Sequence, residues 1–131
     1  MIRQLVQCAA IVWASPASAL GLAVGLATLV SGGTARRRSG VLEFHGGAAR
    51  WLLERMPVRP IAMTLGHTVL GLTGAGLDVV RNHELVHVRQ FERWGPFLIP
   101  AYLLASLVLW LRGRDAYHDN PFEVEAFREA G

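Results

Sequence analysis

The chain predicts an α+β fold: an N-terminal transmembrane helix followed by a minimal domain with a small sheet and several short helices. Three observations carry this expectation. After Arg3 some thirty residues are largely apolar and uncharged, the middle alternates like strands between Gly and Pro, and the last third contains helical segments with recognisable caps. Composition agrees, because 52% of the 131 residues are hydrophobic and the mean hydropathy is +0.32, both high for a soluble domain of this size.

No side chain from Gln4 to Thr34 is charged. As a helix, Leu5 to Val30 extends about 39 Å, enough to cross a hydrocarbon core of about 30 Å with a tilt or a kink at Pro16. Residues 1–35 are therefore expected to form an anchor, and 36–131 one small domain. A cleaved signal peptide is the rival reading, with Arg3 as basic start and Ala17-Ser18-Ala19 as cleavage site. The apolar run ignores that boundary and continues through Leu20 to Val30, which favours an uncleaved helix. Ala17, Gly21 and Gly25 recur every four residues, a small-residue stripe that admits a close neighbour. That neighbour is either a second copy, giving a homodimer through Gly21 and Gly25, or another segment of this chain.

Arg36, Arg37 and Arg38 come directly after the apolar run, and the positive-inside rule places the C-terminal portion in the cytoplasm, making the protein single-pass. The formal charge is +3 with a pI near 10.0, yet the basic residues are scattered and no nucleic-acid-binding motif is present. Anionic lipid headgroups account for the Arg cluster, so membrane lipid is an expected partner and nucleic acid is not. Cys8 is the single cysteine, which rules out an internal disulfide and a cysteine-rich zinc site.

Beyond the anchor, Ser39-Gly40 leads into a strand at Val41 to His45, and a short helix runs from Ala48 to Met56, ended by Pro57. Ile61 to Leu70 alternates as one strand, with Ile61, Met63, Leu65, His67 and Val69 on one face. Such a strand can accept an extended substrate along its edge. Asp78 is the expected cap of a helix over Val79–Trp94, with Val79, Val80, Val86 and Phe91 buried and Gly95-Pro96 as the stop. Phe97 to Leu111 is apolar, but after Pro100 it extends only about 18 Å, too short to span. Asn120 then caps a last helix, with Pro121 in its first position.

The pentapeptide His83-Glu84-Leu85-Val86-His87 lies in the middle of the Val79–Trp94 helix. Positions i and i+4 share a helix face, so both imidazoles can reach one metal ion with Glu84 beside them. This is the ligand pair and general base of a zinc hydrolase; the plainer reading is two polar residues on an amphipathic helix. A catalytic zinc takes three protein ligands and keeps a fourth position open. Glu123 and Glu125 are the candidates for the third ligand, but they face different sides of their helix, so only one can serve. Glu123 also stands three residues after Asn120, where a capping box would occupy it without any metal. If Phe97–Leu111 crossed a bilayer, neither Glu could meet the histidines. His45 and His67 lack metal-ligand spacing from the motif, while Tyr102, Tyr117 and His118 could donate to an oxyanion.

With these residues the chain resembles zinc metallopeptidases of the gluzincin type, in which an H-E-x-x-H helix is followed by a helix carrying E-x-x-A. Glu123-Val124-Glu125-Ala126 matches with Glu123 as ligand. The likeness is similar in kind to membrane-bound HtpX-like and CAAX prenyl proteases, although those carry Asp after the Ala where this chain has Phe127. Residues 60 to 127, through His83 to Gln90, Gly95-Pro96 and Asn120-Pro121-Phe122-Glu123, look most like small uncharacterised bacterial membrane proteins grouped as metallopeptidases. The resemblance implies a zincin-like domain holding Zn2+ through His83, His87 and Glu123. It also implies Glu84 as general base, a peptide or protein substrate, and a bacterial inner-membrane location. The alternative expectation is a catalytically silent metal-binding membrane adaptor or interaction protein.

Overall fold

The computed structural model describes residues 1–130 and has an α+β architecture: a mixed four-stranded sheet with helices packed around it. Helix α1, Ile2–Val30, contains Pro16. Strands β1, Thr34–Arg38, and β2, Val41–His45, form an antiparallel hairpin. Its two-residue turn has positive φ at both Ser39 and Gly40, the backbone twist that suits a tight hairpin. Helix α2, Gly47–Glu54, crosses to a second hairpin made of β3, Ala62–Leu65, and β4, Thr68–Gly71. Strand β4 inserts beside β2 in parallel, so the order is β1-β2-β4-β3 and β3 is an edge.

The single strand expected over Ile61–Leu70 is therefore two strands. Gly66, at φ +63, reverses the chain between them, a conformation that costs glycine little. Arg36 to Arg38, expected as a cluster for lipid headgroups, lie in β1. The position expected to divide anchor from domain, residues 35 and 36, also falls inside this strand. Arg36 donates to Glu43 and Asp78, and Arg81 donates to the same two carboxylates. Glu43 is only 2% exposed, so this network pins β2 to the helix that comes after the sheet.

That helix, α3, spans Gly74–Trp94. Its cap is Thr73, whose hydroxyl accepts from the Gly76 amide, not Asp78, which lies inside the helix and is engaged by the two arginines. Val86 and Phe91 are buried as expected, whereas Val79 is 83% exposed. Gly95 ends α3 in a short 3-10 turn, and α4, Leu98–Leu111, starts before Pro100 instead of after it. Helix α5 covers Pro121–Ala130.

The register sends alternate side chains to opposite layers. Phe44, Leu65 and Leu70 meet α2 and Val24 of α1, while Val41 and Val69 meet Leu77 and Val88 of α3. Ala14, Ala17, Gly21, Gly25 and Thr28 form the buried face of α1. A side-chain carbon added to Gly21 would come within 2.7 Å of Thr68, and one added to Gly25 within 2.5 Å of the Phe44 ring. The small-residue stripe is thus filled by the chain's own sheet, the second of the two neighbours the sequence left open.

Polar side chains of α1 complete the same interface. Ser18 accepts from the His67 amide. Ser31 and Thr28 accept from the amides of Ala48 and Ala49, which satisfies the first turn of α2, where Gly46 offers no capping side chain. The opposite face of α1 exposes Leu5, Val12, Leu22 and Leu26, and α4 exposes Leu104, Leu107 and Trp110. The stretches Ile2–Val30 and Gly74–Leu111 are long and apolar enough, by length and composition, to cross a membrane. The apolar part of the second is α4, whose 14 residues extend about 21 Å.

Candidate metal centre

His83, Glu84 and His87 project from the middle of α3, where the helical repeat turns the two imidazoles to one side. The donor atoms of these three residues lie within 4.8 Å of one another, close enough to hold a metal ion together. Helix α5 brings up a fourth. Glu123 Oε1 lies 2.9 Å from His83 Nε2 and 3.0 Å from His87 Nε2. Its other oxygen, Oε2, accepts a 2.6 Å hydrogen bond from the Tyr102 hydroxyl on α4.

Asn120 supplies the cap expected of it, its Oδ1 accepting from the Phe122 amide, and its amide group ties α5 to Tyr102 O and Ser106. Glu123 does not close a capping box, because both of its oxygens are engaged by the imidazoles and Tyr102. Glu125 faces elsewhere, accepting from Gln90 and Arg93.

The spacing suits a metal. Tetrahedral zinc with ligand bonds of about 2.0–2.1 Å separates its donors by about 3.3 Å, so the 2.9 and 3.0 Å separations need to open by only a few tenths of an ångström. The donor chemistry fits as well. Two neutral imidazole nitrogens and one carboxylate form a recognised zinc set, and Glu84 lies next to them, its Oε2 3.8 Å from His83 Nε2. Its Oε1 accepts from the Thr64 hydroxyl at 3.1 Å, an edge-strand side chain that holds the carboxylate in place.

Electrostatics follow from burial and pairing. Burial pushes the Glu123 carboxyl up, but hydrogen bonds from His83, His87 and Tyr102 outweigh it and hold its pKa at about 2. Burial pushes His87 down; the Glu123 hydrogen bond and the charges of Glu84 and Glu123 more than reverse this, to about 9. Glu84 is raised, chiefly because it is buried, which moves it in the direction a general base near neutral pH requires.

Two residues of this site, Thr64 and Gln90, have no counterpart among the sequence candidates. Gln90 is completely buried, and its Nε2 donates to Phe122 O and to Glu125. Its Oε1 therefore faces His87 Nδ1 at 2.8 Å and makes that nitrogen the donor, leaving His87 Nε2 to point at Glu123. Gln90 lies three residues beyond His87, a same-face spacing that is readable in the sequence; its α5 partners are not.

The remaining candidates separate clearly. Tyr102 and Tyr117 line the cavity in front of Glu84 and Glu123. His118 turns onto Asp115 and stacks on Phe127. His67 pairs with Glu92, and His45 lies near Arg36 and Gly74. No family model, curated protein or solved structure matches the chain. Its function is therefore read from the chemistry of the site.

Proposed function

We propose that this protein is a membrane-associated, zinc-dependent peptidase with a zincin-like site. One observation carries the reading: a single carboxylate oxygen from α5 lies within 3.0 Å of the Nε2 atoms of both motif histidines, with Glu84 beside them. His83, His87 and Glu123 would hold the metal. When bound, zinc supplies Lewis acidity and lowers the pKa of water to about 7.

The protein's own groups do the rest. Glu84 accepts the proton of the attacking water and returns it to the leaving amine. Thr64 keeps the Glu84 carboxylate oriented, Gln90 fixes the His87 tautomer, and Tyr102 holds Glu123 with one oxygen toward the imidazoles. The edge strand β3 runs beside the site and can bind an extended peptide through backbone hydrogen bonds. The exposed apolar faces of α1 and α4 support a location at lipid.

Purified protein should contain one zinc per chain, retained after Glu84→Gln while zinc-dependent peptide hydrolysis is lost. Hydrolysis unchanged by Glu84→Gln would remove this residue from the mechanism. A second reading, a metal site without turnover, is favoured by the completeness of the polar network: Glu123 and His87 each have both side-chain polar atoms engaged. Zinc retention with no cleavage of any peptide by the native protein would select it.

A further inference from the structure

A cavity of about 390 Å³ opens directly in front of Glu84, His87 and Glu123. This is the size of a pocket that encloses a small molecule and more than one side chain needs. Its polar groups are all at the end formed by the metal centre, Thr64, Tyr102 and Tyr117. Everything beyond is apolar: Leu20 and Val24 of α1, Leu52 of α2 and Met56 just past its end, Ile99 and Leu103 of α4. No arginine lines it, so away from the polar end nothing there pairs with a charged substrate group. Leu20 is 52% and Leu103 61% exposed, so the rim is continuous with the bare apolar faces of α1 and α4.

The strand β3 decides between an apolar peptide and a lipid tail. All four of its residues line the cavity, and it pairs on one side only, with β4. Its free edge leaves backbone donors and acceptors unpaired next to apolar walls, where an unmet polar group is costly. A lipid chain would leave them so; an extended peptide would satisfy them.

We infer that the cavity selects the substrate: an extended peptide segment whose side chains beside the scissile bond are large and aliphatic or aromatic, entering from the lipid side between α1 and α4. This rests on the peptidase reading for the word substrate, while the binding stands on the cavity and strand edge alone.

The test uses the full chain carrying Glu84→Gln, loaded with zinc in lipid nanodiscs, and fluorescent hexapeptides that differ only in a central Ala, Val, Leu, Phe or Asp. Affinity should rise about fourfold per added methylene from Ala to Leu, and the Asp peptide should not bind. Leu103→Trp and, separately, Leu20→Trp narrow the rim at partly exposed positions and should abolish the Leu-over-Ala preference with zinc content unchanged. Equal binding of the Ala, Leu and Asp peptides, or a preference untouched by both rim variants, would overturn the inference. So would binding of palmitate by a protein that holds none of the peptides. Peptides bound selectively but left intact by the native protein would retire the peptidase reading and uphold the cavity assignment. Cleavage indifferent to the central residue would uphold the first and sink the second.

Discussion

Replacing Gln90 with Leu keeps the volume and apolar fit of the α3–α5 contact but removes three hydrogen bonds. The side chain is fully buried, bonded to His87 Nδ1 at 2.8 Å, Phe122 O at 2.9 Å and Glu125 at 2.7 Å. Glu125 keeps Arg93, so the loss falls on the other two groups. A buried donor or acceptor stripped of its partner costs about 1–3 kcal/mol, which puts the destabilisation at about 2–6 kcal/mol. The second effect is chemical. With nothing accepting from Nδ1, the His87 ring is free to rotate and change tautomer, and loss of such a partner lowers metal affinity about 10- to 100-fold. Zinc affinity by competition with a chromogenic chelator, and thermal unfolding with and without zinc, measure the two effects separately. Gln90→Glu restores an acceptor for His87 while surrendering the donor to Phe122 O, so it should recover much of the zinc affinity and little of the stability. Zinc affinity in Gln90→Leu within about twofold of the native value, against the 10- to 100-fold loss expected, would refute the idea that this amide orients the ligand.

Glu123→Ala should lose bound zinc and Glu125→Ala should keep it, as read by metal analysis of the purified proteins; undiminished zinc in the first rejects Glu123 as ligand. Glu43 is pushed up by burial, but Arg81 and Arg36 outweigh this and hold it below its ordinary value of 4.5. A depressed folded-state pKa gives stability that is complete above the ordinary value and lost as pH falls through the folded one. Glu43→Gln should therefore lower stability near neutrality by about 3 kcal/mol, the low end for breaking a buried pair, and flatten the acid limb of a stability–pH curve; an unchanged acid limb counts against the assignment. Gly25→Ala places a methyl against the Phe44 ring. Overpacking of about 1–3 kcal/mol should lower Tm by about 4–12 °C, and no change would mean that α1 does not hold this seat on the sheet.

What is legible in the sequence is local. The H-E-x-x-H spacing, the Asn120-Pro121 start of α5 and the Gly95-Pro96 stop each depend on residues within one or two turns. Strand β1 leaves no such mark, because Thr34-Ala35-Arg36-Arg37-Arg38 carries no apolar alternation; it is a strand because β2 pairs with it and Glu43 on that partner receives Arg36. The β3–β4 hairpin is hidden by alternation that runs in phase across the Gly66-His67 turn. Thr73 is a weaker cap signal than Asp78 because Gly74 and Gly76 dilute the helical character of the first turn. Thr64 belongs to the site through a partner 20 residues away, and Gln90, though only three residues from His87, is oriented by a partner 32 residues away, contacts that no local spacing encodes.

The hydroxyls of Thr28 and Ser31 have a consequence for the order in which the molecule is assembled. They close the backbone of α2, and their helix leaves the ribosome before any residue of the sheet. The later segments thus take their final hydrogen bonds from side chains synthesised before them, and a shortened chain beginning at Thr34 would lose both the cap and one wall of the cavity. Removing the oily beginning would therefore strip contacts from the rest of the chain, whereas repainting the outward face of α1 with polar residues leaves the inward one untouched.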